Sequence, residues 1–599
     1  MSENVAEKTG AENVAWDLTH LYTGTDDPKI EQDMQKSLKL ADELSAEYKG
    51  RVPDLDAEEL RDLLEKAEVI LEIGQIIGAY AYLDWSTATG EPAKGALLQK
   101  SQEYGSQLEQ RMLWFELEWA EVPEEQAQTI MNDPVLAEKY RHFLEVSRLM
   151  KPYLLTEPEE KILSEKDVTG HAAWYRFFDE THSARLYEWE GEQIPQQVLL
   201  TKLFSTDRET RRKAQQVMTD GLKDMARTTT FVFNTILADK ASTDRLRKFP
   251  SWLTARNISN EVEDDSVQAL IDAVTSRYDV VARYYTLKGK LLGIDDQKDY
   301  DRYAPLPAAD RDYSWKDARA LVLESYRAFH PQMADITDKF FKENWIDAPT
   351  RPGKTGGAYS MPATPSTHPY VFMNFEGKPR DVMTLAHELG HGVHQYLYKN
   401  RGMFQGRTPL TTAETASVFG EMLVFQEMMR REDSPEVRLA MLTGKLEDSF
   451  ATVFRQISMN RFEDAIHNHR RDQGELSTDQ FNEHWLKTQR DMFQGSVEMT
   501  ENYGYWWSYV PHFVDRPGYV YAYAFGELLV LALYARYEEV GEGFADGYID
   551  MLSAGGSDWP HQIVAEVGVD LQDPDFWKKG VAILDDMVKD AEKLAAEVG

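Results

Sequence analysis

The sequence predicts a mainly α fold arranged as two helical lobes, with a small sheet beside a histidine-rich helix. Three observations carry that prediction. Long stretches place apolar residues at helical spacing, as in LRDLLEKAEVILEIGQIIGAYAYL (Leu60–Leu83). Strand signals are few and local. A Gly- and Pro-rich segment, Gly356–Arg380, has an extended centre, HPYVFMNF, that runs directly into the histidine stretch.

The 599 residues exceed one hydrophobic core. A prior of about 150 residues per domain gives roughly four units, which large helical chains merge into two lobes. A coarse boundary near residue 205 separates an N-terminal helical lobe, 1–205, from a region 206–599 that carries the chemistry. With 42% hydrophobic residues the chain is not compositionally disordered. Lys and Arg number 66 against 102 Asp and Glu, a net charge of −36. Such a surface repels phosphate backbones and anionic membranes, so neither nucleic acid nor membrane is expected as a partner. The acidity itself reads as a solvated face. With no cysteines, disulfides, thiolate nucleophiles and cysteine-based zinc knuckles are excluded. MSENVAEKTGAENVAWDL has neither a basic n-region nor an apolar h-region, and no run approaches 18 apolar residues. The expectation is a soluble, cytoplasmic protein. Its most apolar window, FGELLVLALY (Phe525–Tyr534), contains Glu527.

Further helices are expected at Lys94–Ala120 and Lys316–Phe341 from the same periodicity. ARLYEWEGEQIP (Ala184–Pro195) alternates around a glycine and reads as a small hairpin.

The stretch TLAHELGHGVHQYL (Thr384–Leu397) holds three of the 14 histidines. Asp381 can cap a helix starting at Val382. At about 100° per residue, Val382, Leu385, Leu389, Tyr396 and Leu397 share one broad face, and His387, His391 and His394 a stripe opposite. His387-Glu388-x-x-His391 places two imidazoles one turn apart, at metal-ligand span. Glu388 points too far round to be a ligand but within reach of a metal-bound water, where a general base belongs. The plain alternative is two satisfied core histidines and a surface glutamate. Gly390 and Gly392 argue against it, because each costs about 1 kcal/mol inside a helix relative to Ala. Something should approach the backbone there. His394 lies two turns from His387 and reads as a supporting or core residue. The position six after His391, where a longer three-histidine pattern needs its last ligand, is Leu397.

A catalytic zinc takes three protein ligands and keeps one open position. The next strong helix, Thr411–Arg431, follows the turn-like linker KNRGMFQGRTPL and carries Glu414 in its first turn, 27 residues after His387. Thr411-x-x-Glu414 also reads as a capping box, and spacing alone leaves ligand and cap open. Glu421 shares the face of Glu414 and could support a ligand or replace one. Further on, Trp506–Leu529 is rich in aromatic residues. Pro517 can open a helix that puts Tyr519 and Tyr523 on one face and Tyr521 opposite. Plain aromatic packing is the alternative.

AHELGH followed by TAETASVFGE resembles the M3 family of zinc metallopeptidases, in its oligoendopeptidase F branch, related to the thimet oligopeptidase type. Leu155–Glu180 is similar to the N-terminal domain of that branch, within about 120–185. LSAGGSDWP and GVDLQDPDFW resemble its C-terminal segment, so the resemblance runs from about residue 120 onward. It implies a zincin-type helical fold with a deep substrate channel and one Zn²⁺ held by His387, His391 and Glu414. The implied reaction is hydrolysis of internal bonds in short, unfolded peptides by a zinc-activated water, with Glu388 as general base. His512, Tyr519 and Tyr523 match family positions that contact the scissile carbonyl and its developing oxyanion. The spacing from His512 to Tyr519 is two residues longer than in the thimet type. GGAYS with HPYVFMNF resembles the family's edge strand, which implies that this strand takes up peptide by β-addition. Two rivals remain: a zinc exopeptidase, which would release single residues, and a helical scaffold with a vestigial site, which would bind no metal.

Overall fold

A computed structural model describes residues 9–306, 311–362, 364–406 and 408–598. Residues 1–8, which open the stretch expected to carry no signal, lie outside the described residues. So do Ala363 before the histidine helix and Arg407 in the linker after it.

Helices dominate, as predicted, and the described strands are short: β1 (Leu186–Trp189), β2 (Glu192–Pro195), β3 (Ile346–Pro349), β4 (Tyr359–Met361) and β5 (Tyr370–Phe375). β1 and β2 form the expected hairpin, with Leu186 opposite Pro195 and Trp189 opposite Glu192. Its two turn residues, Glu190 and Gly191, have φ of 53° and 88°. Positive φ at both central positions matches the right-handed twist of the strands.

The described chain falls into two compact units, each of three stretches: Met1–Lys151, Asp310–Arg431 and Arg536–Val569 in one, Pro152–Ala309, Glu432–Ala535 and Asp570–Gly599 in the other. In the first unit, helix Ala57–Thr87 covers the predicted Leu60–Leu83 stretch. Asp56 caps it, accepting from the Glu59 N–H at 2.9 Å, while Glu59 accepts from the Asp56 N–H at 3.2 Å. Its buried stripe (Leu60, Leu63, Leu64, Ala67, Ile70) joins the core built with helices Pro28–Tyr48 and Pro92–Met112. The Lys316–Phe341 pattern is not one helix but two, Trp315–Phe329 and Pro331–Lys342. Pro331 has no N–H to continue the ladder and forces His330 into extended φ/ψ of −152° and 130°.

The three-stranded sheet has the order β3-β5-β4. β5 pairs parallel with β3 and antiparallel with β4. The HPYVFMNF strand is therefore central, not an edge, and both its backbone rims are taken. β4, which carries the end of GGAYS, is the edge strand on that side and is half-buried along its length. Gln395 ties β4 to the histidine helix, accepting from Ser360 Oγ at 2.9 Å and donating to the Ser360 carbonyl at 3.3 Å.

The histidine helix spans Pro379–Tyr398, three residues earlier than expected. Asp381 is not its N-cap. It sits inside the first turn and accepts from the N–H groups of Glu376 and Lys378, both at 2.9 Å. The helix gains the same start with Pro at the first position, where a missing N–H costs nothing. Val382, Leu385, Ala386, Leu389 and Val393 are fully buried, whereas Tyr396 and Leu397 are only partly so.

The expected second helix also differs. It is broken into Leu410–Ala413 and Thr415–Arg431, with Glu414 at the joint, φ −86° and ψ 0°. The linker before it is not merely turn-like, because it contains the short helical pieces Lys399–Arg401 and Gly402–Gln405. Thr415–Arg431 packs on the histidine helix at Gly390, and helix Pro331–Lys342 packs on it at Gly392. A Cβ at Gly390 would lie 2.4 Å from the Ala416 carbonyl oxygen and 2.6 Å from Ser417 Cα. A Cβ at Gly392 would lie 2.5 Å from the Phe340 ring. The backbone approach expected from these glycines is thus present.

In the second unit, helix Arg208–Arg247 runs for 40 residues, and its Arg211 donates to the buried carboxylate of Asp301 at 2.9 Å. The apolar Phe525–Tyr534 window lies within helix Tyr521–Val540, where Glu527 is buried and accepts from Ser449 Oγ at 2.8 Å. Among the described residues no helix is long and apolar enough to cross a membrane.

Gly390→Ala should destabilise the protein by about 1–3 kcal/mol in denaturant titrations, as overpacking does, and should weaken divalent-metal binding. Gly95→Ala, in helix Pro92–Met112 with nothing within 4 Å of the new Cβ, should stabilise by about 0.5–1 kcal/mol. Equal effects at the two positions would refute the close-contact reading.

Candidate metal centre

The backbone contact at Gly390 brings Glu414 over the histidine stripe. Glu414 Oε2 lies 3.3 Å from His387 Nε2 and 3.2 Å from His391 Nε2. One donor atom from each of the three residues lies within 4.8 Å of the others. The imidazole planes are crossed at 82°, with ring centroids 4.9 Å apart. Charge-assisted N–H···O⁻ contacts close to about 2.7–2.9 Å. Donors about 2.0–2.1 Å from a tetrahedral zinc stand about 3.3–3.4 Å apart. The observed separations match the tetrahedral edge, and two imidazoles with one carboxylate is a donor set zinc accepts. The residues fit a zinc ion and leave a fourth position open.

Glu414 is held there locally. Its φ/ψ pair lies in the sparsely populated bridge region, where active-site residues recur. Ser417 Oγ donates to Glu414 Oε2 at 2.8 Å and to the Glu414 carbonyl at 3.0 Å. Glu414 is not the third residue of a capping box, since the helix is interrupted at it and Thr411 lies in the preceding short piece. Burial would raise its pKa, but the adjacent His387 and His391 outweigh that and hold it well below the usual carboxylate range.

Glu421, two turns along the same helix, contacts His387 Nδ1 at 3.3 Å through its Oε2. That contact favours the proton on Nδ1 and leaves Nε2 free as a donor. Burial pushes the His387 pKa down, yet the carboxylates of Glu414 and Glu421 against its two ring nitrogens raise it to about 10. So strong a pull for positive charge is what a cation would satisfy. Glu388 is buried at 6% exposure, and burial pushes its carboxyl pKa up against the attraction of His387 and His391. His394 is outside the donor group. It is buried edge-on to Tyr398 at 5.2 Å, and burial pushes its pKa down to about 3.

Two contacts around the centre were not foreseen. Tyr326 Oη donates to the Ala386 carbonyl at 2.6 Å, and Tyr548 Oη to the Thr415 carbonyl at 2.9 Å. One signal existed in the sequence: Gly420, where a Cβ would lie 2.2 Å from Tyr326 Oη.

His512, Tyr519 and Tyr523 belong to the second unit and cluster together. His512 Nε2 lies 3.2 Å from Tyr523 Oη, and the two tyrosine rings meet edge-on at 5.2 Å. The helix expected from Pro517 instead begins at Tyr521, so Tyr519 precedes it and only Tyr523 lies in its first turn. Gly518 turns the chain at φ +78° and blocks an earlier start. Tyr521 points away, as expected, and donates to Asn257 Oδ1 at 2.7 Å. Burial lowers the His512 pKa, opposed by Asp515 and assisted by Arg516.

Comparison with known proteins places the chain among peptidases. The model for Peptidase family M3 matches residues 202–583, and that for Oligopeptidase F matches 118–185. Oligopeptidase PepF of Bacillus subtilis is 25% identical over 97% of this chain and 87% of its own. Group B oligopeptidase PepB of Streptococcus agalactiae is 25% identical over 98% of each chain. The crystal structure of oligoendopeptidase-F from Enterococcus faecium aligns with a TM-score of 0.71 at 22% identity, over 95% of this chain and all of that one. A Chlamydophila abortus protein described as a candidate peptidase aligns at 0.87 with 23% identity, covering 97% of this chain and 98% of its own. At such identities the structural likeness establishes the fold. The family match covers well over half the residues, and on it the chain belongs to peptidase family M3, as a metalloendopeptidase.

Proposed function

We propose that this enzyme is a zinc-dependent oligoendopeptidase that cuts internal bonds of short, unfolded peptides. The observation that carries the reading is the placement of Glu414 Oε2 at a zinc tetrahedron's edge length from both His387 Nε2 and His391 Nε2, with buried Glu388 beside it. The names of its relatives, oligopeptidase and oligoendopeptidase F, support the preference for short peptides. Zinc bound by these three residues would supply Lewis acidity for the scissile carbonyl and for the attacking water. Glu388 takes the water's proton and delivers it to the leaving amine. Its burial serves that role, since a raised carboxyl pKa lies nearer the working pH of a general base. Glu421 keeps the His387 ring oriented through Nδ1.

His512, Tyr519 and Tyr523 are assigned to the oxygen of the tetrahedral intermediate. The match of these positions to the family's carbonyl-contacting residues carries that assignment, and Tyr523, 38% exposed, is open to a ligand. A single donor aimed at such an oxygen is worth about 2.7–4 kcal/mol of barrier. The substrate backbone adds along β4, because β5 has no free rim. Pairing through the backbone is blind to most side chains and suits an enzyme of broad tolerance.

Mass spectrometry of terminally blocked peptides of increasing length tests the reading. Internal cuts confined to the short members, with Glu388→Gln slower by about 10²–10⁴-fold at full zinc content, are expected. Release of single residues, or no dependence on Glu388, would sink it. Glu414→Gln should lose bound zinc on dialysis, and Glu421→Gln should bind it about 10–100-fold more weakly. Elemental analysis showing one zinc per chain in Glu414→Gln would remove Glu414 from the ligands.

A further inference from the structure

Glu463 is a fully buried carboxylic acid with no part in the chemistry described so far. It lies on helix Phe454–Asp472 with no exposed surface. Its Oε1 accepts from the Gly518 N–H at 2.8 Å, and its Oε2 has no hydrogen-bond partner among the described residues. Burying an acid with one oxygen unsatisfied is costly, so the single bond it makes needs a reason.

The reason lies in the turn that Gly518 occupies. Arg516-Pro517-Gly518-Tyr519 closes with the Tyr519 N–H donating to the Arg516 carbonyl at 3.1 Å. Gly518 has φ +78°. Proline second and a positive-φ glycine third define a type II turn. Types I and II differ by a flip of the middle peptide, here the one between Pro517 and Gly518. In the type II form observed, the N–H of that peptide points into the protein, where Glu463 receives it.

Everything else around the turn is already pinned. On the far side, Tyr521 Oη donates to Asn257 and accepts from Asn260 Nδ2 at 2.9 Å. Arg256 and Arg516 flank the Tyr519 ring, with guanidinium carbons 5.6 and 5.7 Å from its centroid. Leu253 stands 2.8 Å from where a Gly518 Cβ would be. The Gly518 N–H bond is the tie between this turn and helix Phe454–Asp472, and Tyr519 is the next residue along.

We propose that Glu463 is a positioning residue which, by accepting the Gly518 N–H, ties the 516–519 turn to helix Phe454–Asp472 and so holds the Tyr519 phenol in place. The inference rests on the assignment of Tyr519 to the oxyanion. Burial supports the picture by lifting the Glu463 pKa to about 8, against the pull of the Gly518 N–H and nearby Arg256, Lys240 and Arg461. The bond from Gly518 needs only an acceptor, which the protonated acid and an amide both supply.

The test is steady-state kinetics on a blocked peptide with the zinc-loaded protein, its Glu463→Gln and Glu463→Met variants, Tyr519→Phe, and the Glu463→Met/Tyr519→Phe double variant. Glu463→Gln keeps the acceptor and should stay near wild type. Glu463→Met should lose about tenfold to a hundredfold in kcat, with KM changed by less than about threefold and zinc retained. Tyr519→Phe should be costly alone but add little in the Glu463→Met background. Unchanged kcat in Glu463→Met overturns the proposal, as do losses that simply multiply in the double variant. A silent Tyr519→Phe overturns instead the assignment of Tyr519, and with it this route. Should Glu463→Met fail to fold, Gly518→Ala disturbs the same turn from its other side and should give the same kcat-selective loss. Wild-type kcat in that variant overturns the proposal.

Discussion

The candidate centre depends on one steric fact, the contact of two helix backbones at Gly390. With no side chain there, the Ala416 carbonyl and Ser417 Cα come within the volume a methyl group would fill. That approach sets the height of Glu414 above the histidine stripe and hence the separations of 3.2 and 3.3 Å to the two imidazoles. Gly392 over Phe340 and Gly420 over Tyr326 extend the same close fit along both helices. Helix propensity is given up at all three positions in exchange for a fixed distance between donors.

The two groups of candidate residues are controlled in different ways. The histidines ride on a long, buried helix and Glu414 adjoins the start of another, and packing fixes the mutual position of the two, so small shifts there are resisted by many atoms. Tyr519 lies on a four-residue turn that one N–H and its buried acceptor tie to a neighbouring helix. Precision in the first case is spread over a core, and in the second it is concentrated in one bond.

Much of this was legible in the sequence, and the exceptions have physical causes. H-E-x-x-H placed His387, Glu388 and His391 because a helix fixes what lies one turn apart. The glycines announced the close approach, though not its partner. Glu414 was ambiguous because a ligand and a capping residue share the same local pattern, and the helix break at Glu414 removes the capping one. Asp381 was misplaced as a cap since periodicity is insensitive to where the first turn begins. The strand HPYVFMNF was taken for an edge because its uniformly apolar run cannot reveal how many neighbours it has. Six residues buried but for Asn374 are what a central strand requires. The start of the last aromatic helix was set too early because Pro517 signals a helix and a type II turn alike, and the glycine after it decides.

The donor set has a consequence for metal supply. Two neutral imidazoles and one carboxylate at tetrahedral separation give little to magnesium or calcium, which want six or more oxygen donors. Among first-row transition ions the discrimination is weaker, and the intrinsic order of binding strength places copper above zinc. Nothing in three such ligands reverses that order. Which ion the protein carries would then follow the free concentrations it meets while folding.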